Sequence, residues 1–223
     1  MIARPVNLPN VPRGELLSSG RNLTKARVYA QQREGKPAVL KSVSHQVLCV
    51  RWLAGRRGLD REERAYRLLA GVRGVPALLA RSGPDFLECE RIEGRRLDHC
   101  PRRSLPLEVF DRLQQVIRQA HERGVAHGDL HRRDVIVDGS DYPWVLDWAT
   151  AMVRAGPGGW LRAALFRRWM EVDRRAVEKL RRRYGAGGDT GADPLEPAWW
   201  PHRLIWRLKR LGKPRRPSGG QAR

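Results

Sequence analysis

Cysteine is scarce in this 223-residue chain: Cys49, Cys89 and Cys100 are odd in number, far apart and never arranged as C-x-x-C. That usage excludes a disulfide framework and fits a reduced, cytosolic compartment. His99 beside Cys100 lacks the second ligand pair that a zinc site needs. Long apolar runs are missing too. Nothing approaches the roughly 18 apolar residues of a membrane span, and Met1-Ile-Ala-Arg-Pro-Val has no apolar core of an export signal. No internal repeat is visible.

Lysine is nearly absent. Lys25, Lys36, Lys41, Lys179, Lys209 and Lys213 are the only six among 44 basic residues, which face 24 acidic ones for a net charge of +20. The excess is therefore arginine. It points to an anionic partner (nucleic acid, a membrane surface or a phosphorylated substrate) or to a general preference for arginine over lysine across the surface.

Taken in order, residues 1–14 read as a Pro-rich leader without periodicity. Glu15-Leu-Leu, Ala26–Ala30 and Pro37–Val43 are strand-like and separated by turn signals at Ser18-Ser-Gly20 and Glu34-Gly-Lys36. Residues 45–57 have no clear period. Leu59–Ala70 reads as a helix with Tyr66, Leu69 and Ala70 inward, ended by Gly71. Val75–Leu79 and Phe86–Glu90 read as two further strands. Beyond Gly94 the pattern turns helical: Leu107–Arg123, with Val109, Leu113, Val116, Ile117 and Ala120 in step and Gly124 as C-cap, then a short hairpin of Val135–Val137 and Trp144–Leu146. Trp160–Tyr184 reads as a long basic helix with the stripe Leu165, Trp169, Val172, Ala176 and Leu180. Residues 185–198 are a linker, and Trp199–Leu211 a short basic amphipathic helix. The expected fold class is α+β in two lobes: a small antiparallel sheet with one helix over 15–93, and a mainly helical lobe over 94–184, followed by the linker and tail over 185–223.

One stretch concentrates chemistry. His127-Gly-Asp-Leu-His-Arg-Arg-Asp134 and Val145-Leu-Asp147-Trp-Ala149 carry three carboxylates in a loop, strand, turn, strand arrangement. Transfer of a phosphoryl group from a Mg-nucleotide needs such a layout, with one acid for the acceptor hydroxyl and others for the metal. A lone Asp in a loop is ordinarily a turn residue, and a lone Lys in a strand an edge residue. Order and spacing together say more: Lys41 on a strand, an acidic helix residue, H-G-D, an Asp five residues on, then L-D-W.

On those residues, over about 18–183, the chain resembles the protein-kinase-like superfamily. His127-Gly-Asp129 through Asp134 stands at the catalytic loop H-R/G-D-x-x-x-x-N, Val145-Leu-Asp147 at the D-F-G-type segment and Val39-Leu-Lys41 at the V-A-I-K strand. The resemblance implies ATP and Mg2+ as cofactors. It implies Asp129 and Lys41 in catalysis, with His127 propping the loop; Gly20, Val28, Lys41, Glu62 and Glu90 at the nucleotide; and Asp134 and Asp147 at the metal. Glu62 is the expected partner of Lys41, with Glu63 next.

Departures from the family pattern narrow the resemblance. Asp134 replaces the metal-binding Asn and adds a negative charge near the phosphates. Asp147-Trp-Ala lacks the final glycine, and no G-x-G-x-x-G precedes Lys41. Instead Ser18–Tyr29 is similar to the nucleotide loop of RIO kinases at Gly20, Val28 and Tyr29. The interval from Ala149 to Trp160 is short and holds no A-P-E, so the peptide-docking platform of eukaryotic Ser/Thr kinases is absent. The likeness is thus to the compact bacterial branch, RIO-like kinases and lipopolysaccharide-core kinases of the Kdo kinase type. Expected acceptors are a hydroxyl of a core sugar or of a protein Ser/Thr. A pseudokinase or nucleotide-binding scaffold, and an RNA-associated RIO-like kinase, are the competing readings. The basic tail adds a membrane surface or RNA as a partner, and a cytoplasmic location, peripheral on the inner membrane face if the tail binds lipid.

Overall fold

In the computed structural model the described residues are 14–18, 26–154 and 159–187. They fall within one unit that ends at Asp189. The leader, Gly20 and the amphipathic tail expected over 199–211 lie outside the described residues. No helix among the described residues is long and apolar enough to cross a membrane.

The first lobe is a five-stranded antiparallel sheet. β1 (Glu15–Ser18), β2 (Arg27–Arg33), β3 (Lys36–Ser42), β4 (Leu78–Arg81) and β5 (Phe86–Glu90) pair in the order β1-β2-β3-β5-β4. Glu34 and Gly35, both at positive φ (52° and 77°), form the two-residue turn between β2 and β3. A turn with two positive φ angles matches the twist of the strands it joins. That turn fixes the register, which sets Val28 opposite Lys41 and Arg33 opposite Lys36.

A continuous helical segment connects β3 to β4. It runs as α1 (Leu48–Val50), a π-helical stretch over Arg51–Arg56, and α2 (Arg57–Leu68). The sequence gives no clear period over 45–57 because the inward face there is made by Gly55 and not by a large apolar residue. A Cβ on Gly55 would lie 2.3 Å from Gln46 Oε1 and 3.1 Å from Val43 Cβ. Leu59, Glu62, Ala65, Tyr66 and Leu69 form the buried face of α2 and its end, whereas Ala70 is exposed.

β4 begins at Leu78, three residues later than the apolar run suggests. Val75 and Pro76 are buried in the connection, where Gly74 at φ 93° comes close to Val116 and the Pro143 carbonyl, and its own carbonyl accepts from Val145 N at 2.7 Å. Proline has no N–H to give to a ladder, so the strand starts beyond it.

The second lobe holds α3 (Leu107–Glu122) and α4 (Trp160–Tyr184), with five short strands between β5 and α4. β6 (Arg95–Arg96) pairs with β8 (Val135–Val137), which pairs with β9 (Pro143–Val145); β7 (Val125–Ala126) pairs with β10 (Met152–Val153). Gly124 at φ 75° ends α3, its N–H bonding back to His121 O. One apolar core joins the lobes, with Val43, Tyr66 and Leu87 at one end and Phe110, Leu113, Trp148 and Leu180 at the other.

The buried face of α4 is Phe166, Asp173, Val177, Leu180 and Tyr184, and Leu165 is exposed. This corrects the stripe expected from apolar spacing by about one position. The physical reason is Asp173, a charged residue at 0% exposure that an apolar count passes over.

Candidate active site

Lys41 and Glu62 come from the sheet and from α2. β3 places Lys41 across from Val28 on β2 and Leu87 on β5, so all three share one face of the sheet. On α2, Glu62 and Tyr66 are one turn apart and both buried. Lys41 Nζ donates to Glu62 Oε1, and also to Asp147 Oδ1 at 3.2 Å. Burial alone would lower the Lys41 ammonium, but the carboxylates of Asp147 and Glu62 outweigh it and hold the group charged. Burial likewise raises the Glu62 carboxyl, against the pull of Lys41. Glu63 points elsewhere, to Arg67 and Arg81.

The loop from His127 to Asp134 is pinned from two sides. His127 Nε2–H donates to Leu146 O at 3.0 Å, and Asp129 N donates to His127 Nδ1 at 3.4 Å. The His127 ring thereby ties the loop to the residue before Asp147, and it packs on Trp148 with centroids 4.9 Å apart. Trp148, fully buried, donates its indole N–H to Val145 O at 3.3 Å. Thr150 Oγ1 donates to His127 O at 3.2 Å.

The second anchor is Asp173, which sequence reasoning missed. Its Oδ2 accepts from His127 N at 2.8 Å and from His121 Nε2 at 2.9 Å, and its Oδ1 accepts from Gly128 N at 2.7 Å. A buried carboxylate is tolerated only when hydrogen-bonded in this way. The signal available in the sequence was an acid in step with Phe166, Val177, Leu180 and Tyr184 on an otherwise apolar face. Gly128 is equally constrained. It sits at φ 78°, and a Cβ there would lie 2.2 Å from Trp169 Nε1.

Asp134 accepts from His131 N at 2.9 Å, and its own N–H bonds to His131 O at 3.0 Å. Asp147 has left-handed backbone angles (φ 62°, ψ 63°) that turn the chain into the short helical turn Trp148–Thr150. Burial first, and then the nearby Asp147 charge, push the Asp134 carboxyl up to about 6, against the opposing pull of His127 and His131. Two acids whose charges oppose each other beside a cleft fit a hard divalent cation, which takes one or two carboxylates and leaves its other positions to water and phosphate. Among the described residues no group of three His, Cys, Asp or Glu side chains could by itself hold a metal ion. Asp129 stands on the same loop with its side chain 30% exposed, 3.7 Å from His131 Nδ1.

The remaining expected residues are placed as follows. Val28 lies on the same face of the sheet as Lys41. Glu90 ends β5, but its carboxylate accepts from Ala77 N at 3.1 Å and its N–H bonds to Ala77 O. Gly20 lies outside the described residues.

This antiparallel sheet with its helix, joined to a mainly helical lobe that carries an anchored acidic loop, is a protein-kinase-like fold. The structure is similar to the crystal structure of the Rio2 kinase from Chaetomium thermophilum, with a TM-score of 0.55 and 15% sequence identity over 77% of this chain. The match spans 57% of that kinase. No family model and no curated protein sequence matches the chain.

Proposed function

We propose that this protein is an ATP- and Mg2+-dependent kinase that passes the γ-phosphoryl group to a hydroxyl, on a lipopolysaccharide-core sugar or on a protein Ser/Thr. The observation that carries the reading is the meeting of Lys41, Glu62 and Asp147: residues 106 positions apart in the chain converge on one ammonium. Lys41, held charged and aimed by Glu62, would bind the α/β oxygens of the triphosphate. Val28 would pack under the nucleotide, with the backbone near Gly20 closing over its phosphates. Asp129 would take or orient the proton of the acceptor hydroxyl. His127 positions that loop against Leu146 and does not itself react. Asp147 and Asp134 would hold Mg2+, which when bound neutralises charge across the phosphates.

Purified protein with labelled MgATP should transfer label, and Asp147→Ala should abolish transfer while leaving the fold intact by circular dichroism. Nucleotide binding without any turnover by the wild type would overturn the reading and favour a scaffold, which the missing G-x-G-x-x-G loop and Asp134 in place of asparagine motivate. Incubating a whole lysate with labelled ATP and separating lipid, protein and RNA would name the acceptor class.

A further inference from the structure

Between α2, the segment after Asp147 and the first half of α4 lies a cavity of about 620 Å3. That volume suits a ligand of sugar size or larger. Apolar side chains, among them Met152, Leu165 and Trp169, form part of its wall. Three arginines also line it: Arg61 and Arg64, one turn apart on α2, and Arg162 on α4.

Among the described residues, little counter-charge faces them: Asp60 is the one acid in the lining, and Arg81 Nη2 already holds it at 2.6 Å. Arg61 gives one N–H to Ala149 O at 3.2 Å. Among the described residues, Arg64 and Arg162 have no carboxylate partner. Like charges gathered on one groove wall repel one another and together attract an anion. Guanidinium groups present planar N–H forks that match phosphate oxygens, and three of them exceed the need of a single carboxylate.

The cavity also adjoins the candidate catalytic loop. Trp169, in its wall, lies against Gly128, the neighbour of Asp129, and Thr150, also in its lining, bonds to His127 O. We infer that this cavity receives a phosphate monoester carried by the hydroxyl acceptor, so that the substrate class is an already phosphorylated molecule with an apolar or ring-shaped body. The inference rests on the kinase reading for the word acceptor, and on the three arginines for the phosphate.

The test separates the two. The full chain, with its nucleotide cleft filled by a non-hydrolysable MgATP analogue, is titrated calorimetrically with inorganic phosphate, with glucose 6-phosphate, and with phosphatidylcholine vesicles with and without phosphatidic acid. Binding of phosphate and of one phosphomonoester is expected, and whether the sugar or the vesicle binds tells a soluble source from a lipid one. Arg64→Gln combined with Arg162→Gln should weaken that binding at least 10-fold while basal MgATP hydrolysis is unchanged, which also shows the variant to be folded. Phosphate binding that is absent in the wild type, or equal in the double variant, overturns the site. Phosphate binding by a protein that never turns over MgATP overturns the acceptor role and the kinase reading together.

Discussion

Asp173 Oδ1 accepts a 2.7 Å hydrogen bond from Gly128 N, so a carboxylate in the middle of the last helix holds the backbone of the loop that carries Asp129. The same carboxylate holds His127 N and the His121 ring. Helix, loop and α3 thus meet at one buried charge, and its removal has a defined cost.

Asp173→Ala orphans two buried backbone N–H groups and one imidazole N–H. Unsatisfied buried donors cost about 1–3 kcal/mol each, and partial relaxation reduces the sum. A loss of about 3 kcal/mol in unfolding free energy is expected, read from the urea midpoint. Asp173→Asn keeps two acceptor lone pairs on one oxygen and should lose less.

Gly128→Ala meets two penalties at once: a left-handed backbone and a Cβ inside the Trp169 ring contact. The conformational part is about 1 kcal/mol. The steric part should disappear when Trp169 is also cut to alanine. A double-mutant cycle measured by thermal unfolding should therefore show favourable coupling between Gly128→Ala and Trp169→Ala. Additive losses would mean that Trp169 yields without cost.

Asp138 shapes the turn between β8 and β9. Burial pushes its carboxyl up, but hydrogen bonds from the Trp144 indole, Tyr142 N, Ser140 Oγ and Ser140 N prevail and hold it down at about 2. The folded value lies below the ordinary carboxylate value of about 3.9, so the unfolded chain takes the proton more readily. The stabilisation is full above about pH 4 and is lost as pH falls through about 2. For this largely solvated group it amounts to about 1 kcal/mol after screening. The acid limb of stability against pH should be correspondingly shallower in Asp138→Asn.

Lys41→Met removes the ammonium that both Glu62 and Asp147 contact. On the kinase reading, kcat/KM for MgATP should fall by at least 100-fold, about 3 kcal/mol of transition-state stabilisation. Glu62→Gln should fall less, because Lys41 keeps Asp147. Nucleotide binding followed by fluorescence would show whether the loss lies in binding or in the chemical step.

Much of this architecture is readable from local pattern, and the exceptions share a cause. The helix over Leu107–Glu122, the β2–β3 hairpin and the acidic loop each have a period or turn residues of their own. Lys41, Glu62 and Asp147 were legible as a set because each sits in a distinct local motif, and the structure brings the three together. Asp173 was not, because its role exists only through contacts made 45 to 52 residues away. The late start of β4 follows from Pro76, a local signal that the apolar run of Val75–Leu79 masked, while the close approach of Gly74 to the Pro143 carbonyl is a long-range contact. The cavity arginines looked like ordinary surface charge in a chain with 44 basic residues. Only the fold shows Arg64 and Arg162 facing one space.

α2 is tied at both ends to the second lobe. Arg61 near its start reaches the Ala149 carbonyl, and Arg123 at the end of α3 reaches the carbonyls of Leu68 and Ala70 at 3.3 and 2.6 Å. The same helix also holds the sheet, through Glu62 with Lys41 on β3 and through Asp60 and Glu63 with Arg81 on β4. α2 is thus a strut shared by the sheet and the larger lobe, and the alignment of Lys41 depends on anchors in both.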